Sequence, residues 1–407
     1  MIEETMTARP QNSRGGGALI LLTVALMYVS LGSILGFIQG GIAPVLRSQG
    51  MELTSLRWAY ALYVPFGVAF AWSPWIDRWR WPWLGRRTGW IVPMQAVAVG
   101  AVVGAATLTP ERGAWTALLT LGLLATACSA TVDLALDALT VEHIPDSRRT
   151  AAAAAKMGGM SIGTVLGGGL LVALYPRIGW SGSMMFIAGV MTISGLLTFM
   201  LVSTDRALPG RLEHRRAALK ETFRKPGMKV RLVRLTLLAC TLVALFNFNR
   251  LMLIDMGVPL ERIGSVLGTA APAANAGASL LVAMLVRTVS PRNLAWIVGG
   301  LCLAAAGTVL SGYVSGSATS VILGAILTSA GAASMYVVLG SLILQWAEGT
   351  QPATDYALLY GLGRLVATIS LMALPGLIQA VGWPAFQATL MVAFAISIWY
   401  FMRLFPK

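Results

Sequence analysis

Ser73-Pro-Trp-Ile-Asp-Arg-Trp-Arg-Trp-Pro-Trp-Leu-Gly-Arg-Arg-Thr-Gly-Trp90 lies between two long apolar runs and sets Arg78, Arg80, Arg86 and Arg87 among five tryptophans. A short connection this cationic stays on the cytoplasmic side during membrane insertion. Tryptophan favours the headgroup layer, ring in the hydrocarbon and N–H toward water. The stretch therefore predicts the orientation of the chain on both sides of it.

Composition points the same way. The 407 residues are 57% hydrophobic and 11% charged, against about 25% charged in a soluble domain. An integral membrane protein follows. A net charge of +14 would suit a nucleic-acid binder if spread over a soluble surface. Here the cations gather in alternate connections, which excludes that class. Cys128, Cys240 and Cys302 fall inside apolar runs, so neither a disulfide framework nor a metal site is implied. His143 and His214 are read as loop residues. No nucleophile–base set, metal cluster or nucleotide loop appears, so neither an enzyme nor a cofactor is expected.

Twelve runs are long enough to cross a hydrocarbon core, which takes about 20 residues each. They begin with 18–46 and 54–76 and end with 354–380 and 383–404. The expected organisation is an all-α membrane protein of two six-helix bundles. A cytoplasmic tail (1–17) precedes the first bundle (18–203), and a basic linker (204–231) joins it to the second (232–404). With the N-terminus inside, cytoplasmic segments hold twenty-two of the 30 Lys and Arg and the other loops four. Both termini are thus expected in the cytosol of a bacterial inner membrane. A weak internal repeat supports the two halves: Gly50-Met-Glu-Leu53 recurs as Gly257-Val-Pro-Leu260.

Charged side chains within a bilayer are costly and should face the protein interior or a watery path. Asp133 and Asp137, four apart on the fourth run, share one helix face. Asp133, the deeper, is the candidate for proton coupling. Asp77, Arg78, Arg86, Arg87, Asp137, Arg148 and Arg149 are read as a cytoplasmic gate of ion pairs. Arg250 is the candidate to meet an anionic substrate. Gln39, Phe246, Asn247, Asn249, Asn275, Tyr336, Lys156 and Arg364 are its companions around a cavity, with helix–helix contact as the alternative role. Glycines 159, 163 and 167 form a small-residue stripe for close helix approach. Gly36, Gly40 and Gly41 with Pro44 suggest a bend in the first helix.

Asp77-Arg78 followed by Gly85-Arg86-Arg87 resembles the loop between helices 2 and 3 of the major facilitator superfamily, D-R/K-x-G-R-R/K, with an insertion between its halves. Three segments resemble the muropeptide permease (AmpG) branch: Phe70–Arg78 with Leu84–Trp90, Cys128-Ser-Ala-Thr-Val-Asp-Leu-Ala-Leu-Asp-Ala138 running on to Arg149, and Ala353–Leu359. By this resemblance Asp133 and Asp137 match that branch's paired aspartates, and proton-coupled import is implied. Val132 stands where that branch has Gln, and its members are longer. In size the chain is similar to the rhizobactin/pyochelin-type siderophore permeases. A cavity read as apolar apart from Arg250 favours an amphiphilic ferric siderophore. The resemblance therefore implies a monomeric, proton-driven importer of a ferric siderophore. An anhydro-muropeptide or related cell-wall fragment is the second substrate reading. A non-transporting protein of membrane assembly or pigment delivery is the third class.

Overall fold

A helix satisfies every backbone polar group internally, which a lipid-exposed segment must do. The computed structural model describes residues 14–79, 81, 84–110, 114–144, 149–206, 225, 227–286, 288–346 and 352–404, and these are helical apart from short turns. Helix α1 runs Arg14–Phe37, passes through a π-turn at Ile38–Ile42 and ends with Ala43–Ser48. Next come α3 (Thr88–Ala106), α4 (Trp115–His143) and α5 (residues 149–178), with a π-turn at Leu166–Leu170. Helix α6 (residues 180–199) continues in Val202–Arg206. The second half holds α7 (residues 228–255, bent at Phe248), α8 (residues 260–285, with a π-turn at Ile263–Leu267), α9 (Pro291–Val314), α10 (Ala318–Trp346), α11 (residues 352–381) and α12 (residues 383–402).

Nine continuous helices among the described residues are long and apolar enough to cross a membrane. Two of them, of 46 and 42 residues, are each twice the length one crossing needs. Each breaks at a glycine with positive φ, Gly179 (66°) and Gly382 (77°). There the chain reverses in a conformation that a Cβ disfavours. Divided at these points they count as four. The stretch predicted as the second crossing, α2, is broken into Arg57–Ala61, Val64–Val68, a 3-10 turn Ala69–Ala71 and Ser73–Arg78. Pro65 and Pro74 remove two backbone donors along it.

The helices pack as two bundles. In the first, α1 lies along α5 and α3 lies along α4 and α6; in the second, α7 lies along α11–α12 and α10 along α8 and α9. The α1–α5 seam is made of glycine. A Cβ on Gly159, Gly163 or Gly167 would overlap the backbone carbonyls of Ala25, Val29 or Ser33. In a membrane, close van der Waals contact replaces the hydrophobic drive, and small residues permit it. The linker expected at 204–231 lies mostly outside the described residues.

The Gly85-Arg86-Arg87 half of the basic loop is bound inside the first bundle. Asp205, at the end of α6, is buried. Its Oδ2 accepts the backbone N–H groups of Arg87 and Thr88 and the Thr88 hydroxyl, each at 2.8 Å. A carboxylate from another helix thus caps α3, where the helix dipole favours negative charge. Arg87 Nη2 donates to Glu142 Oε1 at 2.6 Å, and Arg86 stands 3.6 Å from the same oxygen. His143 is a correction to its loop assignment. It is the last residue of α4, buried, with Nδ1 against the Leu139 carbonyl and Nε2 3.7 Å from Asp205 Oδ1.

Two outcomes test these contacts. Gly163→Val should lower stability in detergent by about 3 kcal/mol through overpacking, while Gly158→Ala, with open space around it, leaves the melting temperature unchanged. Asp205→Ala should cost about 2 kcal/mol by uncapping α3, read as a lower melting temperature.

Candidate functional site

Between the bundles lies a cavity in two parts that share lining residues. The part nearer the middle of the helices, about 850 Å³, is lined by Gln39 and Gly40 of α1, Thr164 and Gly168 of α5, Asn247, Asn249 and Arg250 of α7, Asn275 of α8, and Ser329 and Tyr336 of α10. The other, about 950 Å³, shares Gln39, Phe246, Asn247 and Tyr336 with it. It adds Tyr63 of α2 and Arg364 and Thr368 of α11. Leu235, Ile343 and Gly363 on its wall lie near the ends of α7, α10 and α11. The cavity thus extends toward the face where α1 begins and α12 ends, called here the terminal face. As expected, most of the wall is apolar, with Phe246, Leu267, Pro272, Val243, Leu339 and Leu371 among its residues; the amides, hydroxyls and two arginines are set into that apolar wall. Such a wall offers apolar surface with a few placed hydrogen-bonding groups.

The acidic pair sits beside this space in the first bundle. Lys156 Nζ contacts both Asp137 oxygens, at 2.6 and 2.7 Å, and the Tyr28 hydroxyl donates to Asp137 Oδ1 at 2.6 Å. Lys156 also lies 4.8 Å over the Tyr28 ring, a cation–π contact. Asp133 is one turn deeper. Its Oδ1 is buried without a hydrogen-bond partner among the described residues. The charges acting on it are those of Lys156, Asp137 and, from the second bundle, Arg364. Three ionisable groups of α4 and α5 and one phenol of α1 therefore share one locus, and a cation of α11 acts on it across the bundle boundary.

Arg250 joins the two halves directly. Its Nη1 donates to the carbonyls of Gly40 (2.8 Å) and Gly168 (2.6 Å), both in the first bundle. Other inter-bundle contacts lie farther toward the face opposite the terminal one, called here the distal face. Arg47 Nε meets Asp255 Oδ1 at 2.6 Å, and the other Asp255 oxygen accepts Trp383 Nε1 at 2.8 Å. Arg177 and Glu261 pair at 3.1 Å, and the Thr54 N–H donates to Gln379. Gly169 and Gly268 bring α5 and α8 so close that a Cβ on either would overlap the other. These contacts close the bundles together at the distal face, and the cavity runs toward the terminal face.

Of the residues expected around a cavity, Gln39, Phe246, Asn247, Asn249, Asn275, Tyr336, Arg250 and Arg364 line it. Asn249 is largely committed elsewhere, donating to Thr328 within the second bundle at 2.9 Å. Lys156, expected against substrate, is instead the partner of Asp137. Asp137, expected among gate arginines, has Lys156 and Tyr28 as its described contacts. Arg86 and Arg87 bind Glu142 inside one bundle, so these pairs do not bridge the two halves. Arg148 and the side chains of Asp77, Arg78 and Arg149 lie outside what the structure describes. Tyr28 was missed, although it is a hydroxyl within an apolar run. Tyr63, Thr164, Ser329 and Thr368 were missed too, being ordinary in membrane helices. The repeat Gly179-Trp180 and Gly382-Trp383 was a readable signal for the chain reversals.

The Lys156–Asp137 pair is partly exposed, so its contribution is about 1 kcal/mol. In a double-mutant cycle, Lys156→Met and Asp137→Asn should each lower the melting temperature, and the double variant should recover most of the loss. Strict additivity would show that the two do not interact.

The profile described as Major Facilitator Superfamily matches residues 18–310, well over half of the chain. The anhydromuropeptide permease of Escherichia coli (strain K12) is 25% identical over 177 residues, 43% of this chain and 36% of that permease. The match thus spans little more than a third of that relative. A bacterial homologue of the human lysosomal transporter Spinster, in an inward-facing and unoccupied conformation, superposes with TM-score 0.69 at 16% identity, over 96% of this chain and 97% of that one. The nucleoside transporter NupG superposes with TM-score 0.70 at 12% identity, over 96% and 99%. At such identities the likeness is one of fold. Profile match and fold agree: this chain belongs to the Major Facilitator Superfamily, a superfamily of membrane transporters.

Proposed function

We propose that the chain imports an anionic cell-wall fragment of the anhydromuropeptide kind across a bacterial inner membrane, driven by protons, with both termini in the cytosol. The two arginines and the amides and hydroxyls set into the cavity wall carry this reading. Those amides and hydroxyls match sugar hydroxyls and peptide bonds, and Arg250 and Arg364 match peptide carboxylates. The partial similarity to the Escherichia coli permease supports the same substrate class. That similarity, rather than the cavity wall, puts the cell-wall fragment ahead of the iron chelate. Membership of a transporter superfamily also argues against a non-transporting role.

In this reading the sealed distal face is periplasmic and the structure is open to the cytosol. The alternation of cationic connections supports that orientation. Asp133 is the proton acceptor. Its buried, unpartnered oxygen and its cationic neighbours make its charge state matter to both bundles. Asp137 and Lys156 form the adjoining pair that senses that charge. The gate roles of Asp77, Arg78, Arg148 and Arg149 stay part of the proposal, as does action as a monomer.

Uptake into proteoliposomes decides the matter. An inward proton gradient should drive accumulation of a radiolabelled anhydro-N-acetylmuramyl tripeptide, and an uncoupler should abolish it. Asp133→Asn should lose gradient-driven accumulation while keeping exchange of the tripeptide across the membrane. Uptake of a ferric siderophore in preference to the tripeptide would overturn the substrate class.

A further inference from the structure

Arg250 divides its donors between two directions. Nη1 makes both bonds to the first bundle, whereas Nε and Nη2 have no protein partner among the described residues. The side chain forms part of the cavity wall beside Gln39 and Asn275. One edge of the guanidinium is therefore tied across the bundle boundary and the other edge is open to a ligand. The tied edge is held only by neutral acceptors: among the described residues no carboxylate pairs with Arg250.

Those acceptors come from two π-turns, Gly40 in Ile38–Ile42 and Gly168 in Leu166–Leu170. A π-turn puts the helical hydrogen-bond ladder out of register, so its carbonyls are placed to serve an outside donor. Gly40 is matched to the contact, since a Cβ there would overlap the guanidinium. Arg250 also shares α7 with Asp255, which holds Arg47 and Trp383 at the distal seal. A displacement at Arg250 is thus carried along one short helix, Asn249–Asp255, to the Arg47–Asp255 pair between the bundles.

A carboxylate offers this cation a full charge where the carbonyls offer partial ones, and a charge-assisted bond is roughly twice as strong as a neutral one. We propose that Arg250 links ligand to seal: a substrate carboxylate that docks at the open edge of its guanidinium draws the group toward itself, competes in this way with the Gly40 and Gly168 carbonyls, and so loosens the distal contact between the bundles. Occupancy of the cavity then favours opening of the distal face, because the two states differ in what the guanidinium holds. This rests on the cavity being the substrate site, as proposed above, and adds the group through which occupancy reaches the seal.

The test is a distance across the distal face. Spin labels at Glu52→Cys and Ser315→Cys, in a chain with Cys128, Cys240 and Cys302 replaced by Ala, report the separation of the bundles in liposomes. Without ligand, the wild-type arginine should give one short distance. Arg250→Met should move the population to longer distances, and so should Gly40→Ala, which keeps the arginine but crowds it from its carbonyls. An unchanged distance in both variants overturns the proposal. With ligand, an anhydro-N-acetylmuramyl tripeptide should lengthen the wild-type distance, and the same tripeptide with its carboxylates converted to methylamides should not. Arg250→Met should abolish the response and weaken tripeptide binding about tenfold or more. Equal responses to acid and amide, or a full response in Arg250→Met, sink the competition. If neither probe binds or is taken up, the substrate class fails, and the ligand-free distances still decide whether Arg250 holds the seal.

Discussion

No water reaches the hydrocarbon interior, so a polar group there needs a protein partner or a place on the cavity wall. That constraint orders the whole molecule. Backbone groups are absorbed by helices, and where a ladder is broken, as at the π-turns of α1 and α5, Arg250 takes up the carbonyls. Side chains obey the same rule. Asn249 turns to Thr328, Lys156 to Asp137, and Asp205 to the N-terminus of α3. Arg250, Arg364, Gln39, Asn247 and Asn275 instead take places on the wall of the space between the bundles.

The same constraint explains why glycine occupies the seams. With lipid as apolar as leucine, helices associate by touching closely rather than by escaping water. The α1–α5 seam, on Gly159, Gly163 and Gly167, lies inside one bundle and behaves as part of a rigid body. The Gly169–Gly268 contact joins the two bundles and is held at one end of the molecule. Identical chemistry therefore serves permanent packing in one place and a separable seal in another. What distinguishes them is which helices they join: α1 and α5 of one bundle in the first case, α5 and α8 of different bundles in the second.

The internal repeat is visible in both sequence and backbone. Gly50 and Gly257 both take positive φ, and so do Gly179 and Gly382, each of the latter pair followed by a tryptophan. The tryptophans have diverged in use. Trp180 donates to the Ala105 carbonyl within its bundle, whereas Trp383 donates to Asp255 in the distal seal. The charged residues do not repeat in this way: the acidic pair and Lys156 belong to the first half and Arg250 to the second.

Length, apolar runs and the alternation of cationic connections determined by themselves that this is a helical membrane protein, because crossing a bilayer imposes a length and a composition on each segment. They also singled out Asp133, Arg250 and Arg364, because a charge in an apolar run is conspicuous whatever it touches. Partnership was decided only by tertiary structure. That Lys156 belongs to Asp137, that Arg87 binds Glu142, and that Arg250 reaches the carbonyls of Gly40 and Gly168 all depend on tertiary packing that no single segment of the chain reveals. The polar lining of the cavity was hidden for a related reason. Thr164, Ser329 and Thr368 are commonplace in membrane helices, and only the rotation of each helix in its bundle decides whether such a hydroxyl faces lipid, a neighbour or the cavity.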